Sequence, residues 1–108
     1  REDDIFLFHG IDGTEVRIFF FFLRRVVMLN GEEILEYRIF QKDRCNINVS
    51  YILKDKADNS AVKGKLINGF HDLFYKNGVA EIEKININFV EYVSESKLNK
   101  NRRIKREF

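Results

Sequence analysis

Residues 35–53 alternate between apolar and polar side chains, and this pattern limits the possible folds more narrowly than any other feature of the chain. Period-two alternation is typical of a β-strand with one buried face. We interpret the stretch as two strands that fold over a tight turn at Lys42 and Asp43. The side chains predicted on the buried face are Leu35, Tyr37, Ile39, Cys45, Ile47, Val49, Tyr51 and Leu53.

A third strand of the same type is predicted near residue 87. There Ile85, Ile87 and Phe89 alternate with Asn86 and Asn88, as Asn46, Asn48 and Ser50 alternate with apolar neighbours earlier in the chain. A sheet that is apolar on one face only must be covered on that face by helices. The remaining sequence therefore has to supply those helices.

Two stretches have helical periodicity. Between residues 19 and 29 the apolar side chains at i, i+3, i+4, i+7 and i+8 are Phe19, Phe22, Leu23, Val26 and Val27. Between residues 62 and 74 a second amphipathic helix is formed by Val62, Leu66, Phe70, Leu73 and Phe74, preceded by a polar loop with good N-cap residues. Each helix is followed by Asn-Gly, which predicts a left-handed end at Gly31 and at Gly78. The four consecutive phenylalanines, 19–22, either fill a thick core or also contact something outside the domain.

The N-terminal 18 residues contain two short strand-like runs around a loop with Gly10 and Gly13, which predicts a hairpin. In order, the chain is then strand, helix, strand, strand, helix, strand. We predict one α+β domain spanning 1–108 with a ferredoxin-like split βαβ fold. It consists of a four-stranded antiparallel sheet with two helices on one face, plus the short hairpin. Residues 94–108 lack apolar periodicity and are predicted to be a basic loop.

Charge and cysteine content narrow the class of protein. The net charge is +2, but residues 97–108 alone carry six basic side chains against Glu107, so the rest of the chain is slightly acidic. This tail predicts either an anionic partner or a solvated terminus. The longest apolar run, 18–23, is too short to cross a bilayer, so no membrane partner is expected. The single cysteine, Cys45, is interpreted as a buried structural thiol in a protein of the reducing cytoplasm.

Few residues suggest chemistry by their spacing. His9 and His71 are far apart and lack ligand-spaced neighbours, so no metal site is expected. No catalytic Ser-His-Asp arrangement or glycine-rich phosphate loop can be drawn. RNA-recognition modules of the same topology stack bases on aromatic side chains of the central strands, where this chain has asparagines, so a nucleic-acid partner is not favoured. The chain begins with Arg and contains no proline, and we interpret it as a piece of a longer protein.

Two motifs at the chain ends and one between them resemble acyl-adenylate-forming enzymes. Arg1-x-Asp3-Asp4, followed after five residues by Gly10, matches the R-x-D-D-x-x-x-x-x-G stretch of that superfamily. Residues 99–104, Asn-Lys-Asn-Arg-Arg-Ile, are similar to its G-K-x-R-R-hydrophobic signature. Residues 36–41, Glu-Tyr-Arg-Ile-Phe-Gln, look like a strand of the phenylacetate-CoA ligase branch. The resemblance covers essentially the whole chain.

This resemblance implies the C-terminal mobile domain of an ATP-dependent carboxylate-CoA ligase. Lys100, with Lys97 as the alternative, would be the catalytic lysine of acyl-adenylate formation. Residues 1–4, with Asp3 and Asp4, would form the hinge, and Arg1 would lie near the nucleotide. The Gly10 loop would line the channel for the CoA thiol.

The other components would come from the rest of the enzyme. They are an N-terminal adenylation domain of the same chain, ATP with Mg²⁺, CoA and a carboxylic acid such as an aryl acetate. This domain alone is expected to be inactive. The alternative is a stand-alone ferredoxin-like module that is regulatory or binds single-stranded nucleic acid.

Overall fold

The computed structural model describes residues 4–93 and 103–108, which form an α+β fold. The strands among these described residues are β1 (Ile5–His9), β2 (Glu15–Phe19), β3 (Ile34–Asp43), β4 (Asn46–Leu53), β5 (Asn86–Phe89) and β6 (Ile104–Arg106). The two α-helices are α1 (Phe20–Asn30) and α2 (Asn59–Lys76), and a short 3₁₀ helix spans Ile82–Lys84. The predicted fold class is confirmed, and the arrangement is compatible with a split βαβ fold.

The main sheet has four strands in the order β5-β4-β3-β6, and it is mixed. β3 and β4 form the predicted antiparallel pair, whereas β5 lies parallel to β4 and β6 lies parallel to β3. The prediction of an all-antiparallel sheet was therefore wrong. The β4–α2–β5 segment is a crossover, which returns the chain beside β4 in the same direction.

β1 and β2 pair antiparallel as a separate two-stranded sheet, which confirms the predicted hairpin. Its loop requires glycine at two positions for different reasons. A Cβ on Gly10 would lie 2.7 Å from the carbonyl oxygen of Thr14, and Gly13 adopts a φ of +86°. The Asp12 carboxylate accepts hydrogen bonds from the Thr14 NH (3.0 Å) and hydroxyl (2.6 Å), which closes the loop.

One hydrophobic core joins both helices to one face of the sheet, as predicted. Ile39 of β3 and Val49 of β4 are buried in it together with Leu23 of α1 and Phe70 of α2. β1 also contributes to this core: the centres of the Phe8 and Phe74 rings lie 4.8 Å apart. The hairpin is thus part of the domain and not an appendage.

Helix α1 was predicted to within one residue, but its buried face is narrower than expected. Leu23, Val26 and Val27 are buried, whereas Phe19, Phe21 and Phe22 are 50%, 58% and 42% exposed. The interpretation that all four phenylalanines fill the core was wrong, since of the four only Phe20 packs against it. The exposed rings leave an apolar surface on the outer side of α1.

The glycine that ends α1 does so by close packing and not by a left-handed conformation. Gly31 has a φ of −126°, so the left-handed prediction was wrong here. A Cβ at this position would lie 2.5 Å from the Cδ1 atom of Ile34 and 3.0 Å from the Val27 carbonyl oxygen, so Gly31 passes close to both residues. At the end of α2, Gly78 has the predicted positive φ (+75°). At its start, the Asp58 side chain accepts from the Ser60 and Ala61 NH groups, as an N-cap should.

The turn between β3 and β4 lies two residues later than predicted, at Arg44 and Cys45. The Asp43 carboxylate accepts from the Cys45 NH (2.8 Å) and the Asn46 side chain (3.0 Å), and these bonds hold Cys45 in the turn. Cys45 is consequently exposed, and the prediction of a buried thiol was wrong. At the other end of β3 the register shifts between Ile34 and Glu36, so Leu35 is turned outward, 58% exposed.

The C-terminal residues contain a strand where a loop was predicted. Ile104–Arg106 form β6, and Ile104 is buried beside Ile39. Three residues are too few to display a period of two, so this strand left no pattern in the sequence. The prediction of a loop over residues 94–108 was therefore wrong for these residues.

Candidate functional site

The sequence-predicted site residues fall partly within the described chain. Arg1, Asp3, Lys97 and Lys100 lie outside the described residues. Asp4 is exposed and directly precedes β1. Gly10 is buried at the end of β1, where it forms an isolated antiparallel bridge with Val79. Strand β1 follows the predicted hinge segment, residues 1–4, and strand β6 follows the segment that contains Lys97 and Lys100, called the lysine segment below.

Strand β6, which follows the lysine segment, is fixed at both ends to β3. The Ile39 NH donates to the Arg103 carbonyl oxygen at 2.7 Å, and the Glu107 NH donates to the Gln41 carbonyl oxygen at 2.8 Å. The buried Ile104 side chain lies between these two bonds. Residues 103–107 are therefore part of the rigid sheet.

Strand β1, which follows the hinge segment, is bound to the same two strands by side chains. The fully buried Gln41 amide donates to the Leu7 carbonyl oxygen at 2.8 Å and accepts from the Leu7 NH at 3.0 Å. The Arg106 guanidinium donates from Nε to the Ile5 carbonyl oxygen at 3.0 Å. One residue of β3 and one of β6 thus hold the start of the hairpin against the main sheet.

Sequence reasoning missed both of these residues. Gln41 continues the series of Tyr37 and Ile39 on the buried face of β3, and a polar side chain in such a series is a detectable signal of a buried hydrogen-bonding role. Arg106 carried no comparable signal, because its partner is a main-chain carbonyl 101 residues away.

Charged side chains surround this junction in ion pairs. Arg103 pairs with Glu36 at 3.3 Å, and its guanidinium lies 5.7 Å from the centre of the Tyr37 ring. Lys42 pairs with Glu107, and Arg44 pairs with Glu15 at 2.6 Å across to the hairpin. These pairs are partly exposed, so each contributes little to stability, and two of them, Arg103–Glu36 and Lys42–Glu107, join the residues that flank β6 to β3.

A cleft of about 390 Å³ lies beside Arg103, between the C-terminal part of α1 and the start of β3. Arg24 and Arg103 bring two guanidinium groups to it, and Met28 and Leu35 contribute apolar surface. Burial raises the pKa of the Tyr37 hydroxyl, which also lines the cleft, above its ordinary 10.0, against the opposing effect of Arg103 and Arg24. The hydroxyl therefore stays protonated, and the positive charge of the cleft is partly offset by Glu32, which also lines it, and by Glu36, which pairs with Arg103.

The outer face of the main sheet carries a ladder of asparagines. Asn86 and Asn88 of β5 donate to the side-chain oxygens of Asn46 (3.1 Å) and Asn48 (3.2 Å) on the neighbouring strand. One aromatic side chain, the half-buried Phe40, lies beside this ladder on β3. Its neighbour in register on β6 is Lys105.

Within residues 4–93 and 103–108, no three His, Cys, Asp or Glu side chains are grouped so that they could hold a metal ion. Neither described helix combines the length and apolar character needed to cross a membrane.

No protein-family model matches this sequence, and a search of curated proteins also found no match.

Proposed function

We propose that this chain is the C-terminal mobile domain of an ATP-dependent carboxylate-CoA ligase. In this role it supplies Lys100 for acyl-adenylate formation and then rotates about residues 1–4 to support thioester formation. The observation that carries the proposal is the junction of β1, β3 and β6. Through Gln41 and Arg106 it ties the strand after the hinge segment to the strand after the lysine segment.

This junction matters because a hinged domain must move its catalytic group as one body. Rotation about residues 1–4 would displace β1, and the bonds from Gln41 and Arg106 would carry β6 with it. Lys100 precedes the buried Ile104 by four residues, and four residues of chain span at most about 14 Å. The ammonium group would therefore enter or leave a neighbouring active site when the domain turns.

The proposed chemistry of Lys100 is electrostatic. Adenylation brings a carboxylate to the α-phosphate of ATP, and negative charge builds up between them. A lysine ammonium at that point stabilises the transition state as a compact point charge. Withdrawal of the lysine after adenylation would open the site to the CoA thiol, with the Gly10 loop at the channel and Arg1 near the nucleotide.

The remaining components belong to the rest of the enzyme in this proposal. An N-terminal adenylation domain would bind ATP with Mg²⁺ and the carboxylic acid, for which an aryl acetate is our first candidate. We place the enzyme in the cytoplasm, where ATP and CoA are available and where the unpaired Cys45 thiol would stay reduced.

The test separates the two half-reactions in the full-length enzyme. Lys100→Ala should reduce acid-dependent ATP–pyrophosphate exchange by about 10²–10³-fold, the usual effect of removing one charge-stabilising group. Thioester formation from supplied acyl-adenylate should be retained. Lys97→Ala is the matched control and should leave both reactions near wild type. Equal loss of both half-reactions in Lys100→Ala would contradict the proposal, and an effect of Lys97→Ala alone would move the role to that residue.

One observation favours the second candidate, a module that binds single-stranded nucleic acid. Phe40 lies on the outer sheet face between Asn48 and Lys105, so a ring, an amide and a cation are adjacent there. Such a group could stack a base and contact its phosphate. This candidate predicts affinity for single-stranded RNA that falls with salt and with Phe40→Ala, whereas the ligase domain predicts none.

A further inference from the structure

The cleft of about 390 Å³ between α1 and the start of β3 follows from the short connection between these two elements. Helix α1 ends at Asn30 and β3 begins at Ile34, so the strand turns back beside the helix. Arg24, before the connection, and Tyr37, after it, both line the cleft, and the Arg24 guanidinium acts electrostatically on the Tyr37 hydroxyl. The helix and the strand therefore run in opposite directions along the cleft, with Arg24 and Tyr37 at the same end.

This end of the cleft carries a cation and a hydrogen-bond donor. The Tyr37 side chain is only 8% exposed, and its hydroxyl forms no hydrogen bond with the described residues. Arg103 donates to Glu36 at 3.3 Å, which neutralises that guanidinium. Arg24 takes part in none of the ion pairs among the described residues. A buried hydroxyl without a partner beside an unpaired guanidinium suits a carboxylate, which accepts from both.

The opposite end of the cleft is negative. Glu32 lines it, is exposed, and takes part in none of the ion pairs among the described residues. Helix α1 ends here with no basic side chain in its last turn, so its terminal carbonyl groups add partial negative charge. Both arginines that line the cleft belong to the Tyr37 end, because Arg24 acts on that hydroxyl and Arg103 lies 5.7 Å from that ring. The Glu32 end therefore suits an ammonium group.

The walls between the two charged ends are apolar. Met28 of α1 and Leu35 of β3 line the cleft and are 59% and 58% exposed. Leu35 faces outward because of the register shift between Ile34 and Glu36, and such shifts commonly redirect a side chain toward a site. Val27 and Ile34 complete the apolar lining. A ligand that reaches both ends of the cleft therefore needs an apolar segment between its charges.

We propose that this cleft binds a small zwitterion whose carboxylate and ammonium groups are joined by an apolar chain, that is, an ω-amino acid. The carboxylate accepts from the Tyr37 hydroxyl and the Arg24 guanidinium. The methylene chain lies against Met28 and Leu35, and the ammonium group donates to Glu32. An anion alone would leave Glu32 uncompensated, and a cation alone would leave Arg24 so. This proposal is independent of the ligase assignment.

The dimensions of the cleft set the length of the ligand and its affinity. Glu32 follows Arg24 by eight residues, which is about 12 Å along a helix axis. Both side chains extend into this distance, so the charges of the ligand are closer together than 12 Å but farther apart than in an α-amino acid. The volume is within the range of small-molecule sites. Because both ion pairs are accessible to water, each contributes little, and we expect a dissociation constant of about 1–10 mM.

The experiment is an NMR titration of the ¹⁵N-labelled 108-residue chain with 6-aminohexanoate up to about 50 mM. Saturable shifts are expected at the backbone amides of Met28, Gly31 and Leu35, which line the cleft. Hexanoate lacks the ammonium group and hexylamine lacks the carboxylate, so each should bind at least about fivefold more weakly. Glycine, in which the two charges are adjacent, should not produce saturable shifts.

Substitutions at the two ends assign the charges of the ligand. Arg24→Gln should weaken 6-aminohexanoate binding at least about fivefold without weakening hexylamine binding. Glu32→Gln should weaken 6-aminohexanoate equally without weakening hexanoate binding. Tyr37→Phe keeps the ring and removes the hydroxyl, and it should also weaken 6-aminohexanoate. Arg25→Gln and Glu33→Gln are the matched controls, because these residues adjoin Arg24 and Glu32 in sequence but do not line the cleft.

Three results would overturn the proposal. The first is the absence of saturable shifts with 6-aminohexanoate at about 50 mM. The second is binding of hexanoate, hexylamine or glycine as tight as that of 6-aminohexanoate, because the site would then not recognise two separated charges. The third is an equal effect of the control variants and the variants at Arg24 and Glu32, which would indicate the general surface charge. The amide spectrum of each free variant establishes that the fold is retained.

Discussion

The side-chain amide of Gln41 binds both the NH and the carbonyl oxygen of Leu7, at 3.0 and 2.8 Å, and it is fully buried. A side chain of β3 thereby acts as the strand partner that β1 would otherwise lack on this side. The N-terminal hairpin and the C-terminal strand become parts of one body through this contact and the neighbouring bond from Arg106 to Ile5. The proposed movement of the lysine depends on this connection.

Gln41→Leu should destabilise the domain, although it places an apolar side chain in the core. The NH and carbonyl groups of Leu7 would be left buried without partners, at a cost of about 2–3 kcal/mol in the free energy of unfolding. Urea denaturation measures this change. Asn77→Ala, which removes one exposed amide bond to the Leu73 carbonyl, is the control and should cost less than about 1 kcal/mol. Equal stability of Gln41→Leu and wild type would show that the junction is not a structural unit.

Two glycines of α2 should respond oppositely to the same substitution. A Cβ on Gly64 meets no atom within 4 Å, so Gly64→Ala should stabilise the domain by about 0.5–1 kcal/mol through its higher helix propensity. Gly69→Ala should destabilise it by about 1–3 kcal/mol, because its Cβ would meet Asn30 and Val26 below 3.0 Å. Thermal unfolding of the pair measures both effects. Stabilisation by both substitutions would contradict the close approach of α1 and α2 at Gly69.

Much of this architecture could be predicted, because most of its strands and helices produce a regular spacing of apolar residues within a short stretch of sequence. Alternation predicted β3, β4 and β5, helical spacing predicted α1 and α2, and the polar loop before α2 and Gly78 after it were recognisable helix ends. The features that the sequence did not predict arise either from a shift of the strand register by one residue or from contacts between residues far apart in the sequence. The bulge at Leu35 and the later turn at Cys45 each move one side chain from the buried to the exposed side, and a period of two cannot reveal such a slip.

The candidate site also has a part that the sequence predicted and a part that it did not. Asp3, Asp4, Gly10 and Lys100 were proposed from sequence motifs. By contrast, β6 and its contact from Arg106 to Ile5 arise only when chain segments 101 residues apart are brought together. The exposure of Phe21 and Phe22 could not be predicted from the sequence either, because helical spacing does not reveal how much of the surface of α1 the core covers.

The Asp12 carboxylate should titrate below its ordinary pKa. Hydrogen bonds from the Thr14 hydroxyl and NH hold the pKa of Asp12 below 3.8. Because this pKa is lowered in the folded state, the ionised carboxylate stabilises the loop above pH 3.8, and the contribution is lost as the pH falls through the lower folded value. Thr14→Val should move the pKa of Asp12 back toward 3.8, as an NMR titration of the carboxyl carbon would measure. No shift between wild type and variant would contradict the hydrogen-bonded loop.

Asp3→Pro should separate the two half-reactions of the proposed full-length ligase. Proline fixes φ near −65° and restricts the preceding residue, so the hinge would be held in one orientation. We expect adenylation to be retained and thioester formation to fall by on the order of tenfold or more. Asp3→Ala removes the carboxylate without fixing φ and is the control. Normal thioester formation in Asp3→Pro would argue against a hinge at this residue.

The most direct test of the central proposal is carboxylate-dependent ATP–pyrophosphate exchange by the full-length wild-type enzyme, with aryl acetates among the acids. We predict exchange with at least one acid, and loss of that exchange in Lys100→Ala. Binding of ATP without exchange for any acid would contradict the ligase proposal and leave the resemblance as one of fold alone.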